Sequence, residues 1–354
     1  MLEYMKNRQI KKNHEVILGG FYMKPTDYKP STVITRYPTP VLTYKDVPYE
    51  SNLTFNAGIT HDKNQYVMLF RNDYGCTQPE WEAGKRFKGT NIGLAHSDDG
   101  IQWKVFEKPV FDLKSDEFER AYDPRITYLD GRYYVCFAAD TKHGVCGGIC
   151  VTDDFEHYEI LSMSTPDNRN MVLFPEKING MYVRLERPMP VYSRSGREQF
   201  DIWMSESPDL KFWGNSRLVL GGESVPYCNT KIGPGAPPLK TEKGWLTIFH
   251  AVDYDESRGK NGWEESWKKR YVIGIMLLDL NDPSKVIGMS KSPLMVPEGP
   301  MELSGGFRDN ALFPCGMIGD GQGNVRIYYS AGDAVVRMAV AKEEDLIALC
   351  CEPK

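Results

Sequence analysis

Gly131-Arg132-Tyr133-Tyr134-Val135-Cys136-Phe137-Ala138 joins a polar turn to an aromatic residue and then to a run of β-type residues. The same order returns in Asn64-Gln65-Tyr66-Val67-Met68-Leu69-Phe70-Arg71 and in Gly180-Met181-Tyr182-Val183-Arg184-Leu185-Glu186-Arg187. It returns again in Lys243-Gly244-Trp245-Leu246-Thr247-Ile248-Phe249-His250 and in Gly323-Asn324-Val325-Arg326-Ile327-Tyr328-Tyr329-Ser330. Four of these runs are followed by a second strand-turn unit carrying an aspartate: Ser97-Asp98-Asp99-Gly100, Thr152-Asp153-Asp154-Phe155, Ser207-Pro208-Asp209-Leu210 and Leu280-Asn281-Asp282-Pro283. An aromatic follows the first three, at Trp103, Tyr158 and Trp213. Repeated β units at intervals of roughly 50–80 residues read as propeller blades, and they count to five. The expected fold is therefore all-β, a five-bladed β-propeller. A two-sheet sandwich is the rival, and it gives no reason for the pattern to return five times.

Around this repeat, residues 1–30 are polar and charged, then punctuated by Pro25 and Pro30, and they read as an N-terminal extension to a single domain over residues 31–354. Segments of helical period are scarce, and Glu343–Cys350 is the best candidate. A hydrophobic content of 41% and a charged content of 26% describe an ordinary globular protein. With a net charge of −5 and no basic stripe, nucleic acid is not an expected partner. The start of the chain has no apolar core of signal-peptide length, and no later run approaches the roughly 18 apolar residues of a membrane span. No membrane partner is expected, and the expected location is the cytoplasm.

The eight cysteines sit mostly among apolar or small neighbours, as at Cys136, Cys146 and Cys150, and read as small hydrophobes. No histidine pair completes a zinc pattern, so neither a metal nor a cofactor is expected. The 20 tyrosines and 7 tryptophans suit a surface that stacks on sugar rings, and equally a β-rich core.

Register within the runs brings charged residues together. Alternate residues of a strand share a face. Five places after the first aromatic stand Arg71, Arg187 and His250, and a little later in the fifth run stands Asp333. Equivalent positions of different blades converge on a propeller's axis, so these four are expected at one mouth of the channel. The alternative is scattered charges at strand ends.

A second stretch concentrates chemistry: Arg120-Ala121-Tyr122-Asp123-Pro124-Arg125, leading into Ile126-Thr127-Tyr128-Leu129. Proline biases the preceding residue towards an extended backbone, which would hold the Asp123 carboxylate at a strand entrance. The plainer reading is a turn in which Arg125 pairs with Asp123.

With Phe55-Asn56-Ala57-Gly58, Asn168-Arg169-Asn170, Leu173-Phe174-Pro175-Glu176-Lys177, Lys231-Ile232-Gly233-Pro234-Gly235-Ala236-Pro237-Pro238 and Asn310-Ala311-Leu312-Phe313-Pro314-Cys315, this stretch resembles glycoside hydrolase family 130, the β-mannoside phosphorylases. The matching stretches run in family order from about residue 32 to the C-terminus. The resemblance implies a five-bladed β-propeller and an inverting phosphorolysis of a terminal β-mannosyl unit that releases α-mannose 1-phosphate. It implies Asp123 as the general acid, which donates its proton through the 3-hydroxyl of the mannosyl unit. Phosphate contacts then fall on Arg169, Asn170, Arg187, Lys231 and His250, and mannosyl contacts on Asn56, Arg71, Asp333, Tyr122, Tyr271 and Phe313. Inorganic phosphate is the co-substrate and an oligosaccharide the partner. An inverting hydrolase needs a second carboxylate about 6.5–9.5 Å from the acid to activate water. A phosphorylase instead needs cations that hold an anionic nucleophile in line.

Residues 189–199 and 253–269, the latter with Trp263 and Trp267, follow no subgroup pattern and stand where contacts to the acceptor sugar are expected. Gly-Pro-Gly-Ala-Pro-Pro resembles the branch that includes β-1,2-mannoside enzymes, and the tyrosine before the acid resembles β-1,4 enzymes, so linkage stays open. Two other readings remain: a β-mannoside hydrolase on the same scaffold, and a non-catalytic glycan-binding propeller. Family members form various oligomers, and residues 1–30 could serve such an interface.

Overall fold

The five repeated runs are the second strands of five antiparallel sheets. The computed structural model describes residues 31–62, 65–190 and 200–351, so the extension over residues 1–30 and most of the 189–199 segment lie outside the described residues. After β1 (Thr35–Arg36), blade 1 comprises β2 (Leu53–Asp62), β3 (Gln65–Tyr74), β4 (Gly89–Ser97) and β5 (Lys104–Val105), with helix α1 (Gln78–Glu82) between β3 and β4. Blade 2 holds β6 (Phe118–Leu129), β7 (Arg132–Thr141), β8 (Gly144–Thr152) and β9 (Glu159–Met163). Blade 3 holds β10 (Asn168–Leu173), β11 (Tyr182–Pro188), β12 (Ile202–Ser207) and β13 (Gly214–Leu220).

In blade 4 the first strand is split into β14 (Ile232–Pro234) and β15 (Leu239–Thr241), both paired with β16 (Gly244–Tyr254), ahead of β17 (Lys269–Leu278) and β18 (Val286–Met289). Pro237 and Pro238 fall in the gap, where they have no N–H to offer a ladder. Blade 5 is β19 (Leu312–Gly319), β20 (Asn324–Ala331) and β21 (Val335–Lys342), followed by helix α2 (Glu343–Cys350), as the helical spacing predicts.

Blade 5 takes its outermost strand from the other end of the chain. β1 pairs with β21, Thr35 opposite Val340, and this closes the ring. A fully buried carboxylate, Glu302, secures the closure by accepting from Tyr329 Oη (2.8 Å) and lying 3.5 Å from both Arg36 and Arg337.

First strands of neighbouring blades lie against one another, β2 on both β6 and β19, and β10 on both β6 and β14, so they ring the axis. Buried side chains fill the seams between blades; Phe174 of blade 3 meets Trp245 of blade 4 edge to face at 5.1 Å, both 0% exposed. Burying each such side chain contributes on the order of 1.5–3 kcal/mol.

The repeated aspartates are structural. Asp99, Asp154 and Asp209 each accept two backbone N–H groups, from the second and third residues beyond, at 2.8–3.0 Å. That geometry turns the chain from third to fourth strand. In the fourth unit Asp279, not Asp282, takes this part, with N–H donors at Asn281 and Asp282 (both 2.9 Å).

Candidate active site

Three inner strands break their ladder at the same place. β-bulges fall between Phe55 and Gly58 in β2, Tyr122 and Arg125 in β6, and Arg169 and Val172 in β10. Each contains one residue with a left-handed backbone: Asn56 (φ 49°), Asp123 (φ 56°) and Asn170 (φ 57°). Asn and Asp enter this region more readily than other non-glycine residues, and a bulge re-aims the side chain it carries. Three successive blades therefore present a polar side chain to one central cavity, in whose wall all three stand. This corrects the expectation for Asp123, which lies within a strand and not at its entrance, with a backbone that is not extended. The proline's bias yields here to the bulge geometry.

Arg125 does not pair with Asp123. It is 3% exposed and spans the channel below the cavity, donating to the carbonyl oxygens of Asn56, Pro124, Gly235 and Pro314. One guanidinium thus ties blades 1, 2, 4 and 5, and two of its four carbonyl partners, those of Asn56 and Pro124, lie in the bulges of β2 and β6. Blades 1 and 2 touch closely at this level: a Cβ on Gly58 would lie 2.7 Å from Pro124 O.

The cavity encloses about 520 Å³, counted to its open mouth. Every site residue assigned from sequence stands in its wall except Lys231 and His250, which lie behind it. Asp123 Oδ1 accepts from Asn56 Nδ2 (2.9 Å) and faces Arg71 Nη1 at 3.4 Å. Ser330 donates to Asn56 Oδ1 (2.8 Å), which turns the amide nitrogen towards the acid. Arg71 is gripped in a fork by Asp73 (2.9 and 2.7 Å) and lies over the Tyr122 ring at 4.8 Å. Burial opposes its charge, but Asp73 and then Asp123 outweigh that and hold its pKa up. Tyr122 donates to Asp140 (2.7 Å) and is pushed up to about 12 by burial.

The opposite part of the wall is cationic. Arg187 is 1% exposed, and its Nε and Nη2 have no partner among the described residues; Arg169 Nε has none either. Burial, and then the charge of Arg169, push Arg187 down to about 9. Lys231 is driven well below its ordinary value by burial and then by Arg187, and its Nζ lies 5.7 Å from the Tyr271 ring centre.

His250 is fully buried, stacked on Phe313 at 4.6 Å, with Nε2 at 2.9 Å from Arg187 Nη1. An arginine only donates, so His250 Nε2 accepts and the ring is neutral, as burial and Arg187 also dictate. His250, expected to add a donor to the phosphate site, stands outside the cavity wall and holds Arg187 from behind, while its Nδ1–H has no partner among the described residues. Gly233 makes room for this pair, since a Cβ there would lie 2.5 Å from His250 Cε1 and 2.9 Å from Arg187 Cδ.

Four wall residues were not assigned as site residues from sequence, Ala311, Leu312, Trp267 and Arg308, and the last two carry polar or stacking surface. Trp267 stacks on Tyr271 (5.5 Å, 11°). Arg308 lies over the Trp267 ring at 4.2 Å and donates to Glu264 (2.9 Å) and Asp333 (3.2 Å). Burial raises the pKa of Asp333, while Arg308 and Arg71 pull it back. Only the position of Arg308 just before the Asn310–Cys315 stretch hinted at it. Among the described residues no three His, Cys, Asp or Glu side chains are grouped as metal ligands, and no helix is long and apolar enough to cross a membrane.

The fold and site together define a five-bladed propeller whose central cavity sets Asp123 and Asp333 beside a cluster of buried cations, and comparison with known proteins names the family. The model of glycoside hydrolase family 130, described as β-1,4-mannooligosaccharide phosphorylase, matches residues 29–352. A β-1,2-mannobiose phosphorylase of Listeria innocua is 36% identical over 245 residues, which span 68% of this chain and 63% of that one. A β-1,4-mannooligosaccharide phosphorylase of Ruminococcus albus is 33% identical over 339 residues, 92% of each chain. The solved structure of a β-1,2-mannobiose phosphorylase from Listeria innocua, in complex with β-1,2-mannobiose, superposes with a TM-score of 0.75 at 26% identity, covering 90% of this chain and 99% of that one. The chain belongs to glycoside hydrolase family 130 and is an enzyme of that phosphorylase family.

Proposed function

We propose that the enzyme cleaves a terminal β-mannosyl unit from a manno-oligosaccharide with inorganic phosphate, inverting the anomeric centre to give α-mannose 1-phosphate, and that it does so in the cytoplasm. The substrate class is the β-1,2- or β-1,4-linked mannosides for which the two aligned relatives are named. Arg187 carries this reading: a buried guanidinium with two unpartnered nitrogens is costly unless an anion completes it, and it stands in the same wall as Asp123.

Asp123 is the acid, aimed by Asn56 and Arg71, and it delivers its proton to the leaving oxygen through the mannosyl 3-hydroxyl. Asn56, Arg71, Asp333, Tyr122, Tyr271 and Phe313 hold the mannosyl unit. Arg169, Asn170 and Arg187 hold phosphate, with Lys231 adding charge from behind and His250 fixing Arg187. The gain over water is electrostatic and positional, because the donors stand ready before the anion arrives. Hydrolysis would need a free second carboxylate. The other carboxylate of the wall, Asp333, is bound to Arg308. The test is incubation with β-1,2- and β-1,4-mannobiose, with and without phosphate, assaying mannose 1-phosphate. Cleavage of one of them only with phosphate supports the proposal, and equal cleavage without phosphate overturns it.

A further inference from the structure

Ser330 stands behind the cavity wall in β20, opposite Phe313 of β19, and is fully buried. Its hydroxyl crosses from blade 5 to blade 1 and meets Asn56 twice. The oxygen accepts from the Asn56 N–H, inside the bulge of β2, and the proton goes to Asn56 Oδ1 at 2.8 Å. The other polar contact of the hydroxyl among the described residues is Cys315 Sγ at 3.6 Å, a weak acceptor. The hydroxyl proton therefore has one strong place to go.

This clamp decides which end of the Asn56 amide faces the acid. With Oδ1 held by Ser330, Nδ2 donates to Asp123 Oδ1 (2.9 Å), which Arg71 Nη1 also faces at 3.4 Å. An amide nitrogen and a guanidinium only donate, so both favour a bare Oδ1 and leave the proton of the acid on Oδ2. Among the described residues nothing donates to Oδ2, and it is the oxygen left to meet the substrate.

The clamp matters most in the protonated acid, the form that starts the reaction. A carboxylate draws the amide nitrogen to itself by charge. A carboxylic acid does not, because its O–H can donate to an amide oxygen. An Asn56 turned end for end would capture the proton at Oδ1, away from the sugar. Ser330 opposes that turn, since the turn leaves its buried hydroxyl proton without a strong acceptor.

We propose that Ser330 is a positioning residue for the general acid: its hydroxyl locks the Asn56 amide so that Asp123 carries its proton on Oδ2, ready for the mannosyl 3-hydroxyl. This rests on the acid role of Asp123 in the reading above. Phosphorolysis and hydrolysis both need that acid, so kcat is read on whichever cleavage the parent performs, and the fate of the phosphorolytic reading is judged apart from it. Ser330→Ala removes the preference given by one hydrogen bond, which predicts about a tenfold fall in kcat. In the background of Asn56→Gly, which removes the amide and tolerates the left-handed backbone, the same substitution should lower kcat no further. A role confined to packing would lower kcat equally in both backgrounds. That result, or a Ser330→Ala variant with parental kcat, overturns the proposal. If neither mannobiose is cleaved, the activity reading fails, and the clamp is judged by hydrogen exchange of the Asn56 side-chain amide, its NMR signal assigned by its loss in Asn56→Gly. Exchange must be faster in Ser330→Ala than in the parent, and equal rates overturn the clamp.

Discussion

Replacing Arg187 with methionine keeps an unbranched apolar side chain of similar length and removes the buried charge. Three groups on the arginine matter: Nη1 is spent on His250, and Nε and Nη2 are the unpartnered donors. Two charge-assisted hydrogen bonds to phosphate, at roughly 1.5–3 kcal/mol each, give a loss of about 3–6 kcal/mol, or 10²–10⁴ in phosphate affinity. Mannoside affinity without phosphate changes little, because no mannosyl contact is assigned to Arg187.

Stability separates this account from a structural role. In the phosphate-free enzyme, deleting an unpaired buried cation is favourable, while leaving His250 Nε2 without its donor costs about 1–3 kcal/mol, so the two effects oppose. The phosphate-free melting temperature should hardly move. Phosphate at a hundred times its dissociation constant adds about 2.7 kcal/mol to the parent, a rise of several degrees, and at most about 0.4 kcal/mol to the variant at the same concentration. Thermal melts and kinetic titrations of phosphate and mannoside, on parent and variant, are the assay. A variant stabilised by phosphate as much as the parent, or equal losses in both titrations, refutes the reasoning.

Asp123→Asn keeps a residue that tolerates the left-handed backbone and removes the proton, so turnover should fall 10²–10⁴-fold, as general acid catalysis implies, with an unchanged melting temperature. Near-normal phosphorolysis by this variant would return Asp123 to a structural role. Gly58→Ala forces a Cβ to 2.7 Å from Pro124 O and 2.9 Å from Arg125 Cα, both backbone, and should cost about 1–3 kcal/mol in denaturant unfolding together with a loss of activity. Arg187 is pushed down to about 9 and Lys231 well below its ordinary value before phosphate binds. A bound anion raises both, so phosphate affinity is full while both are protonated and is lost as pH rises through the Arg187 value of about 9. Phosphate KM measured against pH should therefore climb from pH 8 towards 10, whereas a flat profile would contradict the cation cluster.

The repeat was legible because second strands are regular. Tyr66, Tyr182 and Trp245 start runs of one register; Arg71 and Arg187 stand in the wall of one cavity, and His250 lies behind Arg187. Inner strands hid their logic, since a bulge at Asn56, Asp123 or Asn170 is imposed by neighbouring strands and by Arg125 spanning the channel. The proline after Asp123 even argued for the opposite backbone. Helix α1 did carry a local signal, Thr77 and Glu80 in a capping box with Pro79 between them, in a segment too short for hydrophobic periodicity. Arg308 gave no such signal, because its partners Glu264 and Asp333 come from two different blades.

The central claim is that phosphate, and not water, attacks the mannosyl carbon opposite Asp123. Phosphorus and proton NMR of a β-mannobiose reaction, followed from the first turnovers with and without phosphate, tests it directly. The account predicts a mannose 1-phosphate signal with α configuration from the outset and no cleavage without phosphate. Free mannose forming at the same rate in both samples would contradict it.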